Sequence, residues 1–225
     1  MNYWSGKKRK IDQVNNEEIE GAENLISLLT GANCSDVSEN IVKSNGNHIY
    51  LYSEINRKTA YDVNHFIKSI SNDINTLENN MTTTLKTPIY IHINSYGGSI
   101  FDALSIIDTI QNCNQNCNIP VYSIIEGCAA SAATLISVCC EKRFITKYSY
   151  MLIHELRSGI WGKYSEIEEE YENLTSIMNT IFSIYKENTN IKNKKDLKSL
   201  LKKDSWWDSD TCLKKGLVDE LWTKI

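Results

Sequence analysis

Between Val121 and Cys140 the chain carries a single charge, Glu126. A stretch that apolar has to be buried, and its internal pattern decides in what form. Val121 to Ile125 is rich in β-branched residues and reads as a strand, whereas the apolar segment Leu135 to Cys140 reads as a helix. The junction, Gly127-Cys128-Ala129-Ala130-Ser131-Ala132-Ala133-Thr134, flanks Ser131 with small residues only. Pro120 ahead and Glu141-Lys142-Arg143 behind fit a buried strand feeding a buried helix, not a membrane span. A serine at such a junction is placed as a nucleophile would be. Small neighbours admit a substrate backbone, and the first helical turn offers unpaired N–H groups to an oxyanion. The same stretch also suits close helix packing, and taken alone it leaves both readings open.

The preceding chain repeats one pattern. His48 to Tyr52 reads as a strand, Asn56 to Thr59 supplies turn and cap residues, and Ala60, Val63, Phe66, Ile67, Ile70, Ile74 and Leu77 recur at helical spacing. Pro88 opens a second strand, Ile89 to Ile93, at a position where a missing N–H is tolerated. Asn94-Ser95-Tyr96-Gly97-Gly98-Ser99 follows, and Ile100, Leu104, Ile107 and Ile110 begin another helix. A βαβαβα order with right-handed crossovers gathers functional groups at the carboxyl ends of the strands. The Gly97-Gly98 loop and Ser131 are therefore expected on one edge. Such a Gly pair lets main-chain N–H groups face a ligand, although a turn demanded by backbone geometry alone explains it equally well. A phosphate-binding pattern is absent.

Arg143 to Thr146 and Met151 to Ile153 read as further strands, the second ending at His154. On the same edge, His154 can serve Ser131 as a base. His48, His65 and His92 read as ordinary hydrogen-bonded histidines. From Tyr164 a long helix is indicated, with Ile167, Tyr171, Leu174, Met178, Ile181 and Tyr185 forming a heptad-like seam able to bury against its own sheet or another subunit. Asp204, ahead of Trp206-Trp207, is expected to be buried by that pair and can orient His154, or is an ordinary loop aspartate or a second helix cap. Asp210 is expected to cap a short helix ended by Gly216, with a last strand over Leu217 to Leu221.

At 225 residues the chain suffices for one substantial core. Residues 1–47, with Lys7-Lys8-Arg9-Lys10 followed by Glu17-Glu18-Ile19-Glu20, read as a flexible extension, and residues 48–225 as the domain. A net charge of −4 argues against nucleic acid as a partner. Seven cysteines, an odd number, and no signal peptide at the start point to the cytoplasm or another reducing compartment. No second Cys/His pair joins Cys113-x-x-x-Cys117 or Cys139-Cys140 at zinc spacing, so no metal is expected, and with residues 121–140 read as a buried strand and helix no membrane anchor is expected either.

Taken together, Asn94 to Ser99, Gly127 to Ser131, Met151 to His154 and Gly216 to Asp219 resemble the Clp protease proteolytic subunit, a serine endopeptidase. The resemblance runs from about residue 48 to the C-terminus. It implies an α/β crotonase-like ββα-superhelix with a protruding long handle helix, Tyr164 to about Asn188. It also implies homo-oligomeric rings, stacked in pairs around a chamber that polypeptide substrates enter. An AAA+ unfoldase feeds that chamber and alone uses ATP, so this chain is expected to bind no cofactor. Position by position, Ser131 is the implied nucleophile, His154 the base and Asp204 its orienting carboxylate. The N–H groups of Gly98 and Ala132 are the implied oxyanion hole, and Gly97, Ser99, Ile100 and Arg157 the implied substrate contacts. Tyr96 stands where the family has proline, Glu155-Leu156-Arg157 where it has Gln-Pro-Leu, and about four extra residues lie around Cys113 to Asn118. The alternatives are an inactive ring subunit paired with an active paralogue, a signal-peptide-peptidase-like enzyme with a lysine base, and a crotonase-type acyl-CoA enzyme.

Overall fold

A single long strand, β4 (Val121–Ala130), changes neighbours half-way along, and the rest of the fold is arranged around that change. The computed structural model describes residues 41–78 and 87–223; most of the extension expected over residues 1–47 lies outside them. The sheet nevertheless begins before residue 48. β1 (Ile41–Asn45) pairs antiparallel with β2 (His48–Tyr52) across a turn at Gly46, whose φ of 57° favours glycine. β2, β3 (Ile89–Ser95), β4, β5 (Lys142–Ile145) and β8 (Glu220–Leu221) then follow in parallel order.

Ile93 pairs with Ile125 but Ser95 pairs with Ala129, so β4 advances four residues where β3 advances two. The surplus is a bulge at Glu126-Gly127-Cys128, which Gly127 accommodates at φ 79°. Upstream of it β4 pairs with β5. Downstream, Cys128 to Ala130 pair with β6 (Tyr150–Leu152), and β6 pairs antiparallel with β7 (Trp206–Trp207). Glu126 is a charge on an otherwise apolar strand because Tyr52 donates a hydrogen bond to it and the His92 ring lies 2.9 Å away, itself 2.8 Å from His48.

The helices follow the hydrophobic periodicity. α1 (Arg57–Glu78) starts where the Asn56 side chain accepts from the Thr59 N–H, and it buries Ala60, Val63, Ile67, Ile70 and Ile74. α2 (Ile100–Asn116) is capped by Ser99 and packs on α1. α3 (Ala132–Val138) is buried throughout. α4 (Tyr164–Asn188) buries Ile181, Phe182 and Tyr185, while Ile167 and Tyr171, at the other end of the expected seam, are exposed. The lysine-rich segment contains α5 (Lys194–Leu201), which buries Leu197 and Leu201.

α6 (Ser209–Lys215) ends at a left-handed Gly216, as its sequence indicates. Its cap, however, is Asp208, whose carboxylate accepts from the Thr211 N–H. Asp210 lies inside the first turn, where no backbone N–H three residues ahead remains to be capped. The last strand is shorter than expected, because Leu217 and Val218 enter the core before pairing begins. Asp219 anchors this segment by accepting from the Arg143 backbone and guanidinium at 2.5–3.0 Å. Among the described residues no helix is long and apolar enough to cross a membrane.

Candidate active site

Ser131 follows the last residue of β4 and precedes α3, with φ 54° and ψ −124°. That region is sparsely populated by side chains with a Cβ, and backbone strain of this kind collects at functional turns. Ser131 lines a cleft at this turn. Two hydrogen bonds hold the turn from opposite sides. The Ser131 N–H donates to Leu152 of β6 at 2.9 Å, and the Ser131 carbonyl accepts from the Thr134 N–H at 3.0 Å.

The Gly97-Gly98 loop lies directly against this turn. A Cβ on Gly97 would sit 2.6 Å from the Ala130 carbonyl oxygen and 2.8 Å from Ser131 Cβ, so glycine is needed for the approach. Gly98 bridges to Ile55 in parallel fashion: Ile55 N–H donates to Gly97 O, and Ser99 N–H to Ile55 O, each at 2.8 Å. In a parallel bridge these bonds leave the Gly98 N–H pointing to the opposite side, away from Ile55. The Ala132 N–H is the first of α3 and has no intrahelical acceptor. Gly98 and Ala132 both line a cleft of about 210 Å³ that also holds Ser131 and His154.

The His154 ring is half-buried, with Nδ1 2.5 Å from the Glu155 carbonyl oxygen. A carbonyl can only accept, so Nδ1 carries a proton, and in the neutral ring Nε2 is then the nitrogen with the lone pair. Asp204 is exposed, not buried by the tryptophans. Trp207 packs on the core while the Trp206 ring stands perpendicular to that of Tyr96, centroids 6.3 Å apart, and the Asp204 carboxylate stays exposed. The Asp204 carboxylate is ion-paired with Arg157. Among the described residues no hydrogen bond joins Ser131 to His154 or His154 to Asp204.

Ile100 and Arg157 line the cleft. Ser99 is occupied as the α2 cap and Gly97 is packed beneath Ser131, so neither presents a side chain there. Sequence reading missed Ile181 and Tyr185 of α4 and Leu135 of α3, which complete the cleft wall. The seam of α4 contains the first two, but nothing local in the sequence directs them to Ser131. Among the described residues no three His, Cys, Asp or Glu side chains gather as a metal ligand set.

Comparison with known proteins extends this picture. The chain is 30% identical over 138 residues to ATP-dependent Clp protease proteolytic subunit 1 of Protochlamydia amoebophila, covering 60% of this chain and 65% of that protein. It is 34% identical over 136 residues to proteolytic subunit 2 of Treponema denticola, covering 60% and 66% respectively. With the Streptococcus mutans proteolytic subunit the identity is 32% over 137 residues, covering 59% and 67%. The matched part therefore spans about two thirds of these relatives' length. The family model described as Clp protease matches residues 30–224. By that match, which takes in Ser131, the Gly97-Gly98 loop and His154, the chain belongs to the Clp protease family.

Proposed function

We propose that this chain is a serine endopeptidase in which Ser131 is the nucleophile, His154 the general base and Asp204 the carboxylate behind it. The observation that supports this most is the left-handed turn at Ser131, set beside two main-chain N–H groups without acceptors and a histidine of the required tautomer. Ser131 Oγ attacks the scissile carbonyl carbon as its proton passes to His154 Nε2, and the oxyanion is received by the Gly98 and Ala132 N–H groups. The protonated imidazole then gives that proton to the leaving amine. An acyl-enzyme remains, and water hydrolyses it by the same route.

The register of β6 and β7 supports the role of Asp204. Leu152 pairs with Trp206, and His154, two residues after the one, and Asp204, two residues before the other, both stand near that end of the β6–β7 pair. Completing the triad exchanges two contacts, Asp204 leaving Arg157 and His154 Nδ1 leaving the Glu155 carbonyl. Catalytic hydrogen bonds commonly tighten only when substrate binds. Arg157, Gly97, Ser99 and Ile100 belong, in this reading, to the substrate-binding edge.

Family membership implies the crotonase-like fold, with which the mixed sheet and its helices agree. In this reading α4 is the handle helix, whose exposed Tyr164, Ile167 and Tyr171 pack against other subunits in a ring or double ring. The relatives' names, ATP-dependent and proteolytic subunit, support an AAA+ unfoldase as partner and polypeptides as substrates. The chemistry requires no cofactor on this chain, and ATP is consumed by the unfoldase. Labelling the assembled protein with a fluorophosphonate tests the core of the proposal. Wild type takes the label at Ser131, Ser131→Ala takes none, and peptidase rate falls about 10⁶-fold. An assembled wild-type protein that takes no label overturns the reading.

A further inference from the structure

The carbonyl of Ser131 has a second partner besides the Thr134 N–H. Thr134 Oγ1 donates to it at 2.6 Å. Having spent its only proton there, the same oxygen must act as acceptor towards the Tyr185 hydroxyl, also 2.6 Å away. The direction is thus fixed: Tyr185 O–H to Thr134 O–H to Ser131 C=O. Thr134 and Tyr185 are 0% and 1% exposed, so water does not compete. Burial also pushes the Tyr185 phenol well above its ordinary range, so the donor keeps its proton. Consecutive hydrogen bonds of this kind polarise and strengthen one another. The relay ends on Ser131, the residue of the cleft that carries a Cβ at a positive φ.

We propose that Thr134 and Tyr185 are positioning residues for the nucleophile. The Thr134 hydroxyl clamps the Ser131 carbonyl and the Tyr185 hydroxyl holds Thr134 in place, and the pair thereby fixes the heading of Oγ and the Ala132 N–H towards the cleft. The proposal rests on Ser131 being the nucleophile. It assigns α4 a role inside the site beyond lining the cleft with the Tyr185 ring. Removing either hydroxyl lets the turn relax while leaving that lining in place, so the loss falls on the rate of acylation and not on reagent binding.

The test compares full-length wild type, Thr134→Val, Thr134→Ser, Tyr185→Phe and the Thr134→Val/Tyr185→Phe double variant. Fluorophosphonate labelling is followed against reagent concentration and normalised to the folded fraction. Thr134→Val is expected to slow the saturating rate about five- to tenfold with the half-saturating concentration unchanged. Thr134→Ser restores the rate, and Tyr185→Phe slows it about two- to threefold. The double variant matches Thr134→Val, because a relay already cut cannot be cut again. Additive losses, or unchanged rates in both single variants, overturn the proposal. Should Thr134→Val fold poorly, an unchanged Tyr185→Phe rate overturns it by itself. A wild-type chain without label overturns the serine-peptidase reading instead. The backbone ¹³C shifts of Ser131, which report its φ without any chemistry, then decide the relay: a change in Thr134→Val supports it and no change overturns it.

Discussion

The two halves of the site are built differently. Ser131, Gly98 and Ala132 sit where strands end and are fixed by main-chain bonds: the Gly98–Ile55 bridge, the Ser131 N–H to Leu152, and the Ser131 carbonyl to Thr134. His154 and Asp204 sit just past the last residues of β6 and just ahead of β7, and their side chains are held by the Glu155 carbonyl and the exposed Arg157. A backbone half preorganised by the sheet needs no reorganisation to receive an oxyanion. A side-chain half that trades partners can be completed by substrate or by assembly. In the proposed mechanism the fold therefore supplies the oxyanion donors outright and leaves the proton path to be closed.

The sharpest way to break this contrast is at Asp204. Asp204→Asn should lower kcat about 10⁴-fold with little change in thermal stability, since an exposed ion pair contributes little to folding. Arg157→Gln should move the other way and raise kcat several-fold by freeing the carboxylate, while KM rises because Arg157 also belongs to the substrate-binding edge. Equal losses in the two variants would mean that Arg157 supports the site instead of competing for Asp204. On the backbone side, Gly98→Ala puts a Cβ into the Ile55 carbonyl at a φ of 147°. It should cost activity roughly 10²- to 10³-fold and lower Tm as well, because donor and scaffold are one object there. Unchanged stability in that variant would refute the rigid half of the comparison.

The smallest effect lies away from the site, at His48. Burial, and secondarily the neighbouring His92, depress its pKa below the usual 6.5, with Glu126 opposing. The unfolded chain then binds more protons than the folded one below about pH 6.5, so stability is full above that value and declines as pH falls. Thermal melts between pH 7.5 and 5 should show that decline flattened in His48→Gln, with labelling at Ser131 unaffected.

Much of this architecture is legible in the sequence because it rests on periodicity. Ala60 to Ile74, Ile89 to Ile93 and Val121 to Ile125 announce a helix and two strands, and their order gathers the Gly pair and Ser131. What escapes reading depends on partners far along the chain. β1 has a mostly polar sequence and is a strand because β2 lies beside it. β7 has only two residues and is defined by its pairing with β6. Asp208 and Asp210 are equivalent as cap formers, and the choice between them is made where the chain leaves β7. The tryptophans fail to bury Asp204 because strand alternation sends them to opposite faces. The contact between Thr134 and Tyr185 joins α3 to α4 and carries no local signature at all.

The antiparallel pairing of Leu152 with Trp206 has a topological consequence. Everything between these residues, α4 and α5 included, is an excursion that leaves the sheet and returns to the adjacent position. Segments whose ends meet at a fixed point can lengthen or shorten at small entropic cost, since closure depends only logarithmically on length. The excursion is thus free to drift in size where it faces solvent, while Ile181, Phe182 and Tyr185 of α4 and Leu197 and Leu201 of α5 stay anchored in the core. Its first and last few residues, which include His154 and Asp204, are tethered where it joins and cannot drift with it.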